Sequence, residues 1–147
     1  MADIADFARL VTQDRGLAVV ATLRADQTIQ ASVVNAGVLD HPARGHPVVG
    51  FTTRGRARKV ANLRARPRLA VTVRAGWEWV TVEGTATLAG PDDPADGLDA
   101  DGIRLLLRAV FTAAGGTHDD WATYDQVMAD ERRAAVLVTP DRVYSNG

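Results

Sequence analysis

The chain has 147 residues, 46% of them hydrophobic and 24% charged, proportions that fit one globular domain with a core of its own. A net charge of −1 argues against a long polyanion as partner, and the absence of cysteine excludes disulfides, thiolate metal sites and cysteine nucleophiles. The start, Met-Ala-Asp-Ile-Ala-Asp-Phe, is acidic where a secretory leader is positive, and no apolar run reaches membrane-spanning length. The expectation is a cytoplasmic protein with no membrane partner.

Taken in order, residues 3–13 place Ile4, Phe7, Ala8, Leu10 and Val11 at helical spacing, with Gly16 as the stop. Leu17–Leu23 and Thr28–Ala36 are β-rich runs joined by Arg-Ala-Asp-Gln, the spacing of a hairpin. In the second run alternation sets Ile29, Ala31 and Val33 on one face and Gln30, Ser32 and Val34 on the other. Residues 40–47 are a loop by their proline and glycine content. His41 and His46 lie in it beside Asp40, but their spacing matches no metal motif and no metal is expected.

A third strand, Val48–Thr53, runs into Arg-Gly-Arg-Ala-Arg-Lys, where a helix over 57–65 begins, with Val60, Leu63 and Ala61 as its inward residues and Pro67 closing it. Lys59 is the one lysine of the chain and sits among Arg54, Arg56 and Arg58. Short charge runs are commonly solvated helix faces. A helix start, however, offers unpaired N–H groups and the positive dipole end, so the same residues suit a phosphate, with hydroxyl donors from Thr52 and Thr53.

Arg68–Arg74 alternates with Leu69, Val71 and Val73 inward, and a Gly76 turn leads into Trp77–Leu88, which Gly84 is expected to bend or bulge. With Val80 and Val82 in the core, Trp77, Trp79, Thr81 and Glu83 point outward. Two outward indoles call for a cover: the helical segment that follows, a second subunit, or a flat ring-shaped ligand. After the acidic loop Gly90–Gly97, a helix carries Ile103, Leu106, Leu107 and Val110 up to Gly115-Gly116, and another, capped by Asp119 or Asp120, carries a core stripe of Trp121, Tyr124, Val127 and Met128. Ala134–Thr139 and Arg142–Ser145 read as a strand broken by Pro140 and a short final one. The sum is six or seven mostly antiparallel strands with a few flanking helices, an α+β chain closing into a barrel.

Ala18–Asp26, Gln30–Asn35, Phe51-Thr-Thr, Lys59–Arg68 and Trp77–Gly84, together with His118–Met128, resemble the pyridoxamine 5′-phosphate oxidase-like split β-barrel superfamily, and within it the actinobacterial deazaflavin-dependent branch. The resemblance spans nearly the whole chain and rests on the order of loose motifs. It implies a homodimer with cofactor sites shared across the interface. It also implies phosphate contacts at Thr52, Thr53, Arg58 and Lys59, and ring contacts at Gln30, Ser32, Val33 and Val34. Trp77 and Trp79 would approach from the partner subunit. Where relatives carry a second phosphate-binding arginine two residues before the lysine, this chain has Ala57, for which Arg56 or Arg58 would substitute.

The resemblance further implies hydride transfer from reduced coenzyme F420 to a small unsaturated or quinone-like acceptor. Flavin mononucleotide (FMN) is the alternative cofactor, and a non-catalytic flavin-binding protein the alternative role. Six arginines (54, 56, 58, 64, 66 and 68) exceed what one phosphate needs and favour F420, whose tail adds carboxylates. A nucleic-acid partner fits poorly, because no aromatic residues interleave with the arginines. No residue is marked as catalytic; Tyr124, His118 and Tyr144 are candidates only as possible proton donors.

Overall fold

A computed structural model describes all of residues 1–147. Six strands form one closed, wholly antiparallel barrel in the order β1-β2-β3-β6-β5-β4, with β4 pairing back onto β1. The strands are β1 (Leu17–Leu23), β2 (Ile29–Asp40), β3 (Pro47–Thr53), β4 (Arg68–Ala75), β5 (Glu78–Ala89) and β6 (Ala134–Ser145). Four helices accompany them: α1 (Ile4–Val11), α2 (Arg58–Ala65), α3 (Ala100–Ala113) and α4 (Trp121–Asp130).

Each element follows from its own residues. Asp3 caps α1 by accepting from the Ala5 and Asp6 amides, Asp6 returns the bond to the Asp3 amide, and Phe7, Leu10 and Val11 are then buried on one face. That face joins Ala18, Val20, Phe51, Val71, Val73, Val80, Val82, Val136 and Val138 in the barrel interior. A second cluster lies outside the barrel, where Leu106, Leu107 and Val110 of α3 and Tyr124 of α4 pack on Val48, Ala135 and Leu137. Gly37 lets α3 lie this close: a Cβ there would sit 2.2 Å from the Ala113 carbonyl.

Several expectations change. β2 runs four residues past Ala36 to Asp40, because Gly37–Asp40 find β3 as a partner. Pro140 does not break the last strand: β6 is continuous from Ala134 to Ser145, and the missing proline donor is absorbed by a bulge, with Pro140 opposite Gly84 and Arg142 opposite Glu83, leaving Asp141 extra. The strand count is therefore six. On α2, Ala61 is exposed and Asn62 is buried in its place, its amide donating to Thr22 Oγ1 at 3.0 Å. On α4, Val127 is exposed, so the apolar stripe narrows to Trp121, Tyr124 and Met128. Trp77 belongs to the turn before β5, not to the strand.

Candidate functional site

β2 and β3 pair only from Ala36 and Phe51 onward. Ahead of that point β2, from Ile29 to Asn35, has β1 on one side and no strand on the other, while Thr52 and Thr53 pair only with β6. The barrel is split here, and the gap is a cleft of about 810 Å³. Val33, Val34 and Asn35 form one wall, Thr52, Thr53, Arg54, Ala57 and Lys59 the other. Phe111 of α3, Gly115, Gly116 and His118 of the connection that follows, and Tyr124 of α4 roof it. Gly116 fits flat on the Phe111 ring, where a Cβ would come within 2.4 Å.

At the Lys59 end the chain presents donors without acceptors. Ala57 precedes α2 and offers no side-chain cap, and the amides of Arg58 and Lys59 have no acceptor in the chain. Lys59 is half-buried and makes no ion pair. Burial, and then the Arg133 charge, push its pKa below the ordinary lysine value. A half-buried cation with no counter-ion, at an uncapped helix start, is unfavourable until an anion arrives.

The sequence-derived residues divide into four groups. Thr52, Thr53, Lys59, Val33 and Val34 meet in this cleft. Trp77 and Trp79 do not; with Val19, Val33 and Thr72 they line a separate groove of about 790 Å³ on the outer face of the sheet. Gln30 and Ser32 share the face of buried Thr22 and Val20 opposite them. Gln30 accepts from Thr22 Oγ1 at 3.3 Å, and Ser32 Oγ is buried without a partner. Arg56 and Arg58 are exposed, make no ion pair and lie outside the cleft lining. Of the other arginines, Arg64 is paired with Asp93 and Arg68 with Asp141, and Arg66 donates to the Leu23 carbonyl at 3.0 Å. The arginine surplus read from the sequence is thus smaller at the cleft than the raw count.

Among the possible proton donors, Tyr124 gives its hydroxyl to the Leu107 carbonyl at 3.0 Å, and Tyr144 gives its own to Glu83 on the outer face, edge-on to Trp79. Burial raises the Tyr124 pKa, and the Glu83 contact raises that of Tyr144. His118 differs: it lines the cleft, and its Nδ1 accepts from the Asp120 amide at 3.0 Å, so the proton of the neutral ring is on Nε2. His41 and His46 stack at 5.3 Å in their turn, and no group of three or more His, Cys, Asp or Glu comes together as a metal site. Sequence reasoning missed Phe111, Gly115, Gly116 and Arg133, which reach the cleft from distant elements.

A closed antiparallel barrel, split at one place and carrying a cation without an ion-pair partner there, defines a small β-barrel protein with an open basic cleft. The chain belongs to the pyridoxamine 5′-phosphate oxidase family, whose model matches residues 4–147. It is similar in fold to a conserved hypothetical protein from Mycobacterium tuberculosis (TM-score 0.70, 19% identity, 99% of this chain and 84% of that one). An FMN-binding, pyridoxamine 5′-phosphate oxidase-related protein from Nostoc punctiforme is also similar (TM-score 0.67, 14% identity, 99% and 84%). So is an F420 reductase (TM-score 0.61, 16% identity, 92% and 94%). No curated protein matches the sequence.

Proposed function

We propose that the split cleft binds a flavin-type coenzyme, F420 in preference to FMN, and that the protein transfers a hydride from it to an unsaturated or quinone-like small molecule. The observation that carries this reading is Lys59, a half-buried lysine without a counter-ion beside unused α2 amides and the open side of β2. A phosphate supplies the missing charge, and its oxygens accept from Lys59, the Arg58 and Lys59 amides, Thr52 and Thr53. The unpartnered stretch of β2 from Ile29 to Asn35 offers main-chain donors and acceptors of the kind a heterocycle's carbonyl and ring nitrogens require. Val33 and Val34 supply apolar contact.

The bound ring supplies the hydride. The chain would hold it and exclude water with Phe111 and Met128, and His118, which lines the same cleft, is the residue that would donate a proton as the acceptor is reduced. Support for F420 over FMN is the excess of positive charge at the cleft, from Arg15, Arg54, Lys59 and Arg133, beyond what one phosphate needs. FMN is the second reading because a neighbour of the same fold binds it.

The same reading makes the active form a homodimer. Leu17, Val19 and Leu23 of β1, Ile29 and Val33 of β2, and Trp77 are all exposed on one face of the sheet, with Ile29 65%, Val33 63% and Trp77 94% accessible. Val33 belongs to both this face and the cleft, so a twin seated on the face would abut the cofactor.

Lys59→Ala is the test. Loss of one charge-assisted contact, on the order of 1.5–3 kcal/mol, should weaken coenzyme binding about 10- to 100-fold in a fluorescence titration while circular dichroism stays unchanged. Equal affinity of variant and wild type for both coenzymes would remove the assignment.

A further inference from the structure

Two of the cations at the cleft are tied to one carboxylate. Glu131, directly after α4, meets Arg54 Nε at 2.9 Å through Oε2 and Arg133 Nε at 3.3 Å through Oε1. Arg54 comes from the turn after β3 and Arg133 from the residue before β6, so the carboxylate joins segments far apart in sequence. Gly55 makes the approach possible: a Cβ there would lie 2.5 Å from the Arg132 carbonyl oxygen. The neighbouring arginines add nothing to the cleft, since Arg132 is held by Asp92 and Arg64 by Asp93.

Charge and donors both stay in excess. Arg54, Lys59 and Arg133 bring three positive charges to the lining against the single negative charge of Glu131 behind them. Each of the two guanidinium groups turns its Nε to Glu131, and neither has an acceptor in the chain for its Nη groups. An arginine fork is built to engage a carboxylate or phosphate through two nitrogens, so half of each fork is unused. Glu131 is kept ionised by these neighbours, Arg133 foremost, which hold its pKa below the usual carboxylate value.

We infer that Arg54 and Arg133 form a second anion subsite beside the Lys59 phosphate subsite, and that Glu131 is a built-in competitor for it, setting selectivity for a coenzyme with a further anionic group. This rests on the cofactor reading given above. A ligand with one phosphate engages Lys59 and the α2 amides alone. A ligand that continues into a carboxylated tail reaches the two arginines and shares or displaces Glu131. Glu131 thus discriminates by charge number, acting through the arginines it holds.

Riboflavin, FMN and F420 make a series with no phosphate, one phosphate, and a phosphodiester followed by carboxylates. Each is titrated by fluorescence into wild type, Glu131→Gln, Arg133→Gln and Arg54→Gln, with thermal melts to show that the variants are folded. Glu131→Gln should bind F420 about 5- to 10-fold tighter, with FMN changed less than about twofold and riboflavin unchanged. Arg133→Gln and Arg54→Gln should each weaken F420 about tenfold and FMN far less. Looser F420 binding by Glu131→Gln, or equal shifts for all three ligands in the arginine variants, would overturn the subsite. Wild type that binds none of the three overturns the cofactor reading itself, which is a different result from binding without altered selectivity.

Discussion

Lys59 stands out in composition as the one lysine of the chain, and that alone makes it legible in the sequence. Its partial burial and its lack of a counter-ion are not legible there, because tertiary packing sets them, and the charge that adds to the lowering of its pKa, Arg133, lies 74 positions further along the chain (133 − 59). Burial and that charge lower its pKa from the ordinary 10.5, so in the window between its folded value and 10.5 the unfolded chain holds the proton more tightly. With no ligand present, the Lys59 contribution therefore makes stability rise with pH across that window. Anion affinity runs the opposite way, falling as pH climbs through the folded value, since neutral Lys59 no longer attracts phosphate. Lys59→Arg should move this fall to higher pH in a coenzyme titration over an alkaline series, because a guanidinium stays charged. An unchanged profile in that variant would assign the pH dependence to another group. The flanking arginines teach the reverse lesson: six of them look alike in sequence, yet Arg64 and Arg68 are spent on Asp93 and Asp141. Pairing of this kind is set by tertiary contact, which a charge run does not reveal.

Strands and helices are readable wherever a period of two or of 3.6 holds without interruption. β4 and the buried faces of α1 and α3 fall where alternation and helical spacing place them, and β1 and β3 fall on their β-rich runs. β6 departs from its expected break because Pro140 is a breaker by local rule, whereas a bulge on β6 can accommodate it. The accommodation depends on Gly84 of β5: a Cβ there would sit 2.2 Å from the Thr139 carbonyl oxygen and 2.8 Å from Val138 Cγ1. Backbone cannot rotate out of the way as a side chain can. Gly84→Ala is accordingly expected to lower stability by about 1–3 kcal/mol in a denaturant melt, whereas Gly76→Ala, at an open turn, should cost only the strain of a positive φ. Equal effects of the two substitutions would deny the bulge its steric basis. The α3–α4 roof of the cleft is the least readable part, since it depends on Asp125 holding Arg104 and Arg108, and on Tyr124 reaching the Leu107 carbonyl.

At the scale of the molecule, barrel closure separates two apolar surfaces that the sequence describes only as alternating faces. One lines the interior with α1 packed against it. The other, across β1, the Ile29–Val33 part of β2 and the Trp77 turn, is left open to solvent, and the helical segment after β5 does not cover it, because α3 packs on β3, β6 and β2 around Gly37 instead. If a second copy covers this face, Val19→Glu, at a position 47% exposed in one chain, should leave the fold intact and convert dimer to monomer in sedimentation equilibrium. A wild-type monomer, or a Val19→Glu dimer of undiminished strength, would place any interface elsewhere.

Return of β4 to β1 removes most lateral margins from which a foreign strand might grow, and the two sides of the split, the seven-residue stretch of β2 and Thr52 and Thr53 of β3, are left unpaired. Whatever molecule fills that gap stands in for a missing neighbour, capping the last peptide groups available for templated addition. Protection against fibril-like growth in this chain should thus track occupancy of the gap, even when the barrel itself is equally intact with and without its guest.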